Sequence, residues 1–529
     1  MSGHRPSPQA AAIGTIALVT GMALRVGAMS GRELWLDETH SALLAAMPIG
    51  ERLTFVMGDV HPPLYFFLLG VWTRLLGDGP TVLRAFSLAA ATLALVLLAL
   101  ATARFLQRAA AGVCALALAA ASPILVYYSF EVRMYALATL FTVAALLLLP
   151  DPHRPLGEQR LRAAGFVLSG ALTFYTHYMG IFAIAGMCVW ILIQTRRNRA
   201  ALSRAVGLTL ATALLIAPWT PVLLRQREAK AELRRQELAG AADPLALNYG
   251  NRRTLAPGLG WQVRSVVQNV ASAAGASSGP NRATTVFLTI PVGLAGLGVL
   301  VAGVRGAPAS QLALLVTAAT LLGCAAIGAV ARRFLILAVP FWLLAFTELA
   351  LILWRRRPWL AVGFVGSLLG VYGYGTIRVI EAPHPRPLET LVKRIQTSYR
   401  PGELIVFNAA YGEIPFRYYA HREALEVKTR GFPIDIREWW SGQPFKGWGG
   451  PVVSTADLAA FVEEVQRDEA GRTVWLALFD TRYYDPGDSL LTVMSRHALS
   501  RRELVDTAGH RLVALRLRGT EPPPEGRPH

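Results

Sequence analysis

Long apolar runs separated by short polar loops fill the chain up to about residue 380. A run of roughly 17–25 apolar residues is long enough to cross the hydrocarbon core of a bilayer as an α-helix. On this criterion the pattern predicts eleven spans, at 11–30, 80–103, 109–127, 134–150, 162–178, 180–195, 202–222, 283–304, 310–330, 334–354 and 358–378. The predicted fold class is therefore a polytopic α-helical membrane protein.

The apolar stretch 62–77 does not fit this series. It begins with two prolines, contains Arg74 and ends at Gly77-Asp78-Gly79-Pro80. We interpret it as a re-entrant or interfacial helix within a first outer loop at 31–79. With 62–77 excluded, the positive-inside rule assigns one set of arginine-containing loops to the cytoplasm. These loops contain Arg104, Arg108, Arg154, Arg160, Arg196, Arg197, Arg199, Arg305, Arg355, Arg356 and Arg357.

An odd number of spans with the N-terminus in the cytoplasm places the C-terminus on the outer side of the membrane. We therefore expect a multi-pass protein of the cell (inner) membrane whose first span is an uncleaved anchor. The outer side would be the periplasm or its equivalent.

The composition agrees with this class. The chain has 53% hydrophobic and only 16% charged residues, and its mean hydropathy of +0.40 excludes an ordinary soluble protein. A net charge of +18 could indicate nucleic-acid binding, but the excess of Lys and Arg lies largely in short loops beside apolar runs. The three cysteines lie in apolar stretches without the spacing of a zinc site or a disulfide framework.

From about residue 385 the pattern changes to that of a soluble α/β domain. Helical periodicity at 387–398, 454–469 and 489–498 alternates with strand-like runs at 403–407 and 473–479. We therefore divide the chain into a membrane domain at 1–380, an outward-facing α/β domain at 385–518 and a disordered tail at 519–529.

A second long outer loop is predicted at 223–282. It begins with a charged stretch of helical character at 225–235. A loop of this length in a compact domain is often a functional lid. A solvated amphipathic helix at the interface explains the charged stretch equally well.

Polar motifs in this topology converge on the outer face. An ionisable group at membrane depth costs roughly 2.5–3.5 kcal/mol on the insertion scale, so such groups are candidates for a functional site. Five outer segments contain them: Trp35-Leu36-Asp37-Glu38, Asp59-Val60-His61, Glu131-Val132-Arg133-Met134-Tyr135, Thr176-His177-Tyr178 and Arg332-Arg333. We interpret them as an outward-facing active site.

The order of these motifs resembles the integral-membrane glycosyltransferases of the GT-C superfamily. Within that superfamily the chain is most similar to the protein O-mannosyltransferase and lipid A aminoarabinose transferase group (glycosyltransferase family 39-like). The resemblance rests on Asp37-Glu38, His61-Pro62-Pro63-Leu64-Tyr65, Arg84-Ala85-Phe86-Ser87, Ser122-Pro123, Tyr128 to Tyr135, Tyr175-Thr176-His177-Tyr178 and Arg333-Phe334-Leu335 with Pro340. Phe334 departs from the pattern, because relatives often have tyrosine there.

The resemblance implies transfer of a sugar from a polyprenyl-phosphate donor to an envelope lipid, glycan or protein. The reaction would take place on the outer face of the membrane, with inversion, and the enzyme would be a mannosyltransferase-like hexosyl- or pentosyltransferase. Membrane lipids complete the expected partners, and nucleic acid is not among them.

Two neighbouring carboxylates are the candidates for acid–base chemistry. Inverting transfer needs a base for the proton of the acceptor hydroxyl, and Asp37 is the first candidate. Adjacent helical residues point about 100° apart, so Glu38 would act differently, by orienting the acceptor, a cation or a metal. The alternative for both is a helix N-cap.

Cationic side chains suit the phosphate of the donor. Arginine binds phosphate in a bidentate manner and stays charged, so Arg133, Arg332 and Arg333 are candidates, together with His61. Arg332 and Arg333 could instead extend to lipid headgroups, and His61 could simply begin the interfacial helix. Glu131 could merely pair with Arg133 and fix the loop. Further site candidates are Glu131, Tyr135, Asp59, His177 and Tyr178, although His177 could be an interface anchor.

The sequence demands no cofactor. Asp37, Glu38, Glu131, His61 and His177 could together bind a divalent cation, but no DxD motif is present. A divalent cation therefore stays open.

Two other classes of protein remain as alternatives. A transporter or lipid flippase predicts broken helices at the midplane and an internal repeat, and the sequence has neither. A non-catalytic scaffold of envelope polysaccharide assembly would make the C-terminal domain the functional part.

Overall fold

A computed structural model describes residues 7–152, 154–241, 267–273, 282–327, 331–382, 387–408, 410–433, 454–479, 481, 485, 487–507 and 510–519. The predicted tail, from residue 520 onward, and much of the predicted loop at 223–282 lie outside these residues.

Most of the described residues are helical. The helices up to residue 241 are α1 (Pro8–Met29), α2 (Leu36–Ala46), α3 (Ile49–Gly58), α4 (Leu64–Leu76), α5 (Pro80–Phe105), α6 (Ala109–Ala121), α7 (Pro123–Tyr127), α8 (Tyr135–Leu148), α9 (Arg160–Thr176), α10 (Gly180–Thr195), α11 (Arg199–Ile216) and α12 (Thr220–Ala241). The later apolar helices are α13 (Arg282–Val304), α14 (Pro308–Ala326), α15 (Arg332–Leu335), α16 (Val339–Arg356) and α17 (Pro358–Glu381).

The C-terminal part mixes helices and strands. Its elements are α18 (Pro387–Gln396), β1 (Leu404–Phe407), α19 (Ala410–Arg422), β2 (Lys428–Gly431), α20 (Thr455–Asp468), β3 (Thr473–Leu478), α21 (Ser489–Arg496), β4 (Ala498–Thr507) and β5 (His510–Leu517).

The packing divides the chain into two compact units. Unit 1 contains the described residues of Met1–Ser30, His61–Thr220 and Gly258–Pro383. Unit 2 contains those of Gly31–Val60, Pro221–Pro257 and His384–His529. The last segment of unit 2 begins where we predicted the α/β domain. The segments 31–60 and 221–257 also belong to this unit, which the sequence did not indicate.

Among the described residues, six helices are long and apolar enough to cross a membrane. They are Pro8–Met29, Pro80–Phe105, Arg199–Ala229, Pro308–Ala326, Arg332–Arg356 and Pro358–Glu381. Shorter apolar helices include Ala109–Ala121, Tyr135–Leu148, Gly180–Thr195 and Leu288–Val304. The prediction of a multi-pass helical membrane protein is confirmed.

The 62–77 stretch forms the short helix α4. Its 13 residues extend about 20 Å at 1.5 Å per residue, which is less than the roughly 30 Å of a bilayer core. Its placement in the interface stays a prediction.

Small residues let the helices of unit 1 approach closely. A β-carbon on Gly186 of α10 would lie 2.6 Å from the Cα of Val316 in α14. In the same way, a β-carbon on Gly112 of α6 would lie 2.5 Å from the carbonyl oxygen of Ala99 in α5. These two contacts leave no room for a larger side chain.

Unit 2 contains a five-stranded mixed sheet with the order β2-β1-β3-β5-β4. Strand β1 is parallel to β2 and β3, with Leu404 opposite Val474, whereas β5 is antiparallel to β3 and β4. Leu404 and Val474 belong to a buried apolar core that also includes residues of α20 and α21. The predicted strands at 403–407 and 473–479 and all three predicted helices are therefore confirmed.

Candidate active site

A tight turn between α7 and α8 contains the polar motif of the Glu131 region. The backbone N–H of Arg133 donates to the carbonyl oxygen of Glu131 at 2.7 Å, so this loop is folded back and is not an extended strand. The hydroxyl of Ser87, in α5, donates to the same carbonyl oxygen at 2.7 Å. The structure thus gives the Arg84-Ala85-Phe86-Ser87 motif a role, because Ser87 fixes the turn.

Arg133 and His61 come together in unit 1. The Nη2 of Arg133 lies 2.9 Å from the Nε2 of His61, and the Arg133 side chain is only 2% exposed. His61 precedes α4 by three residues, since the helix begins at Leu64. The sequence placed both residues in outer loops, but only the fold shows that they share a hydrogen bond.

Aromatic rings connect the turn to two other segments. The ring of Tyr135 lies 4.6 Å from that of Tyr128 and 5.7 Å from that of His177, between their centroids. His177 in turn lies 6.2 Å from the ring of Phe334 in α15. Two site candidates from different segments, Tyr135 and His177, thus belong to one series of aromatic rings, and Phe334 takes part in it by ring contact without a hydroxyl.

His177 lies in the turn between α9 and α10, where it is 8% exposed. Its Nδ1 accepts the backbone N–H of Met179 at 3.1 Å. Burial is the main cause that lowers the pKa of His177 to about 3, and the nearby His61, Arg133 and Arg333 contribute to the same shift. The imidazole is therefore neutral at physiological pH, and because Nδ1 accepts, the ring proton is on Nε2.

Arg332 and Arg333 have exposed side chains that lie over aromatic rings. The guanidinium carbon of Arg332 is 5.8 Å from the ring centre of Tyr127, and that of Arg333 is 5.3 Å from the ring centre of Phe334. Such contacts orient a guanidinium while leaving its N–H donors accessible. The backbone N–H of Arg332 also donates to the Oδ1 of Asn269 at 3.1 Å.

Tyr178 makes a different contact. Its hydroxyl accepts the indole N–H of Trp219 at 2.7 Å. Trp219 lies in the short helical turn Ala217–Trp219 that joins α11 to α12. This contact links Tyr178 to the α11–α12 junction.

Three predicted carboxylates belong to unit 2. Asp37 lies in the first turn of α2 and is 7% exposed. Glu38 follows it, and its Oε2 accepts the backbone N–H of Trp35 at 3.2 Å. Glu38 is the third residue of α2, and its side chain reaches back to the N-cap residue Trp35, while Asp37 lies in the first turn, where the helix dipole favours a negative charge. Asp59 ends α3 and is also buried.

The predicted metal-site candidates belong to different units. Asp37 and Glu38 are in unit 2, whereas His61, Glu131 and His177 are in unit 1. Among the described residues there is no group of three or more His, Cys, Asp or Glu side chains arranged to hold a metal ion. A bound divalent cation stays a prediction.

Comparison with known proteins gives a consistent result. The family model of the dolichyl-phosphate-mannose-protein mannosyltransferases matches residues 60–223, less than half of the chain. The crystal structure of ArnT from Cupriavidus metallidurans in the apo state superposes with a TM-score of 0.58 and 14% identity, covering 95% of this chain and 97% of that chain. No curated protein matches the sequence.

Two further crystal structures give similar values. ArnT from Cupriavidus metallidurans bound to undecaprenyl phosphate has a TM-score of 0.56 and 13% identity, over 96% of this chain and 98% of that chain. The oligosaccharyltransferase of Archaeoglobus fulgidus in complex with Zn and sulfate has a TM-score of 0.55 and 12% identity, over 94% of this chain and 72% of that chain.

The chain shares the fold of these ArnT and oligosaccharyltransferase structures. The resemblance that the motifs indicated is confirmed at this level, and the match of the family model covers the region from His61 to α11. At 12–14% identity the superposition establishes a shared fold.

Proposed function

We propose that this protein transfers a sugar from a polyprenyl-phosphate donor to a lipid, glycan or protein of the cell envelope, with inversion at the anomeric carbon. The proposed site faces the outer side of the cell membrane, with the N-terminus in the cytoplasm. The GT-C fold supports the reaction class, and a structure of similar fold is bound to undecaprenyl phosphate. A hexosyl or pentosyl group, as in the mannosyltransferase-like enzymes, is the proposed sugar.

The contact between Arg133 and His61 carries this proposal. A buried guanidinium lies 2.9 Å from an imidazole in this part of unit 1, so a cation is already in place there. A lipid phosphate gains negative charge as its glycosidic bond breaks, so it is stabilised by cations already in place in a dry site. We assign the phosphate to Arg133 and His61, with Arg333 and Arg332 as exposed donors.

Asp37 is the proposed base. In the proposed step the acceptor hydroxyl attacks the anomeric carbon on the side opposite the phosphate, and its proton passes to the Asp37 carboxylate. The bond from the anomeric carbon to the phosphate oxygen breaks, and its electron pair leaves with the polyprenyl phosphate. The contact of Glu38 with the Trp35 N–H supports a different task for Glu38, which is to hold the start of α2.

The test is sugar transfer by the full-length protein in nanodiscs, supplied with radiolabelled polyprenyl-phosphate sugars and envelope extract. We expect transfer by the wild type and a loss of about 100-fold or more in kcat for Asp37→Asn, because a general base contributes about 10²–10⁴-fold. Arg133→Ala should also lose activity, since it removes the buried cation. Glu51→Gln changes an exposed acid on α3 and should retain wild-type activity.

The outcomes separate the alternatives. Equal activity of Asp37→Asn and wild type would remove Asp37 from the mechanism. A folded wild type that transfers no sugar from any donor would contradict the proposed function and favour the transporter or the scaffold.

A further inference from the structure

The start of segment 31–60 is bound by the C-terminal part of unit 2. The backbone N–H of Leu34 donates to the hydroxyl of Tyr419, in α19, at 2.7 Å, and this bond is buried. Leu34 stands three residues before Asp37 in the sequence. The hydroxyl of Tyr419 therefore fixes the backbone just before the turn that carries the proposed base.

A second contact joins the same two parts of the chain. The carboxylate of Glu33 accepts the backbone N–H groups of Leu388, at 3.3 Å, and of Glu389. These are N–H groups in the first turn of α18, which have no partner within their own helix. Glu33 thus caps a helix that is more than 350 residues away in the sequence, and a carboxylate is favoured there.

Within the segment, hydrogen bonds join α3 to the end of α2. The side chain of Arg52, in α3, donates to the carbonyl oxygens of Leu44, Ala45 and Met47 at the end of α2. Helix α2 also packs on α19. A displacement of α19 would therefore move α2 as a body, together with Asp37.

The far end of the segment is held by α12. The side-chain amide of Gln226 donates to the carbonyl oxygens of Val56 at 3.0 Å and Met57 at 3.4 Å, in the last turn of α3. Gln226 is buried. Segment 31–60 is thus bound at its start by α18 and α19 and at its end by α12.

We propose that Tyr419 is a positioning residue for Asp37, so that the C-terminal domain holds the proposed base in its working position. This inference rests on the proposed function, because it assigns a role to the Asp37 segment in sugar transfer. It also gives the C-terminal domain a task that neither the sequence nor the reaction chemistry indicates. Tyr419 acts on Asp37 through the backbone of Leu34.

The test compares Tyr419→Phe with Tyr399→Phe in the full-length protein in nanodiscs. Tyr399 offers a matched control, because its hydroxyl contacts only Glu403 and Lys428 of the C-terminal domain in the bonds described. Two quantities are measured, which are amide hydrogen exchange of residues 36–46 and the kinetics of transfer. The second readout is separated into kcat and the KM for the donor.

We expect Tyr419→Phe to leave the buried N–H of Leu34 without its acceptor. Such a loss weakens a local structure by about 5- to 100-fold in its equilibrium constant. Exchange in 36–46 should therefore rise by about that factor, and kcat should fall by about tenfold or more with an unchanged donor KM. Tyr399→Phe should change neither quantity.

Two results would overturn the proposal, and they differ in what they mean. If Asp37→Asn is inactive but Tyr419→Phe keeps the kcat of the wild type, the positioning role fails and the proposed function stands. If Asp37→Asn is as active as the wild type, both the base and its positioning fail. If Tyr419→Phe does not fold, Gln226→Met is tested instead. It removes the hydrogen bonds at the other end of the segment, and we again expect faster exchange and a lower kcat.

Discussion

At the scale of single residues, some buried charges of unit 1 bind the backbone groups at helix ends. Arg25, with 0% exposure, donates to the carbonyl oxygens of Ala119 and Ala120 at the end of α6. Glu348 accepts the N–H groups of Ala309 and Ser310 at the start of α14. These side chains satisfy helix ends in a medium without water. Burial of a charge therefore does not by itself indicate a site.

The neutral imidazole of His177 gives a prediction about acid stability. Its pKa is about 3 in the folded protein against a usual value of 6.5. Between these values the unfolded chain binds a proton that the folded protein does not, so the folded state loses stability as the pH falls below about 6.5. We expect the melting temperature of the wild type to fall more than that of His177→Gln between pH 7 and about pH 4.5.

The measurement is thermal unfolding in detergent at a series of pH values. Gln keeps an acceptor for the Met179 N–H without a titrating group. Parallel pH curves for the two proteins would show that His177 does not cause the acid sensitivity.

At the scale of elements, proline and glycine decide where helices end and how closely they pack. The predicted span 109–127 is two helices, α6 and α7, because Pro123 disfavours a helical conformation of Ser122 before it. Pro123 then begins α7, where its missing N–H costs nothing. The carbonyl groups at the end of α6 accept hydrogen bonds from the Arg25 side chain and from the hydroxyl of Thr376.

The close contact of α10 with α14 predicts a large effect of a single methyl group. Gly186→Ala would place a β-carbon 2.6 Å from the Cα of Val316, and overpacking of this kind costs about 1–3 kcal/mol. Gly207→Ala is the matched control, because nothing lies within 4 Å of its β-carbon. We expect Gly207→Ala to raise stability by about 0.5–1 kcal/mol, since alanine favours the helix.

Thermal stability of the two variants in detergent tests this expectation. Opposite shifts of the melting temperature are predicted, downward for Gly186→Ala and upward for Gly207→Ala. Equal shifts would mean that α10 and α14 are not packed backbone to backbone at this point.

At the scale of the whole molecule, the described residues of the C-terminal domain and of the segments 31–60 and 221–257 form one unit. The contacts of Glu33, Tyr419 and Gln226 explain why. These three residues gave no signal in the sequence, since their partners are backbone groups distant along the chain. The proposed base thus belongs to the unit that contains the C-terminal domain.

The predicted orientation can be tested with single cysteines. Ser500, in the exposed part of β4, should lie on the outer side, and Arg197, exposed between α10 and α11, in the cytoplasm. In a background in which Cys114, Cys188 and Cys324 are replaced by alanine, we expect an impermeant maleimide to label Ser500→Cys in intact cells. Arg197→Cys should be labelled only after permeabilisation, and the reverse pattern would invert the topology.

The sequence was informative about elements and less so about the site. Apolar runs longer than a bilayer needs leave few alternatives to spanning helices, so the fold class was predictable. The strands β2, β4 and β5 were not predicted, because short or polar strands carry a weak periodicity. For the site, the motifs supplied the candidates, and their catalytic roles stay predictions.

What the sequence alone determined follows from local physics. Hydrophobicity over 20 residues fixes a membrane helix, and Pro123 fixes a break in it, because both act through neighbouring residues. The tertiary structure decided which distant groups meet: Arg133 with His61, Tyr135 with His177, and Tyr419 with Leu34. Such contacts depend on how helices and loops pack across hundreds of residues, and no local pattern encodes a hydrogen bond to a distant backbone group.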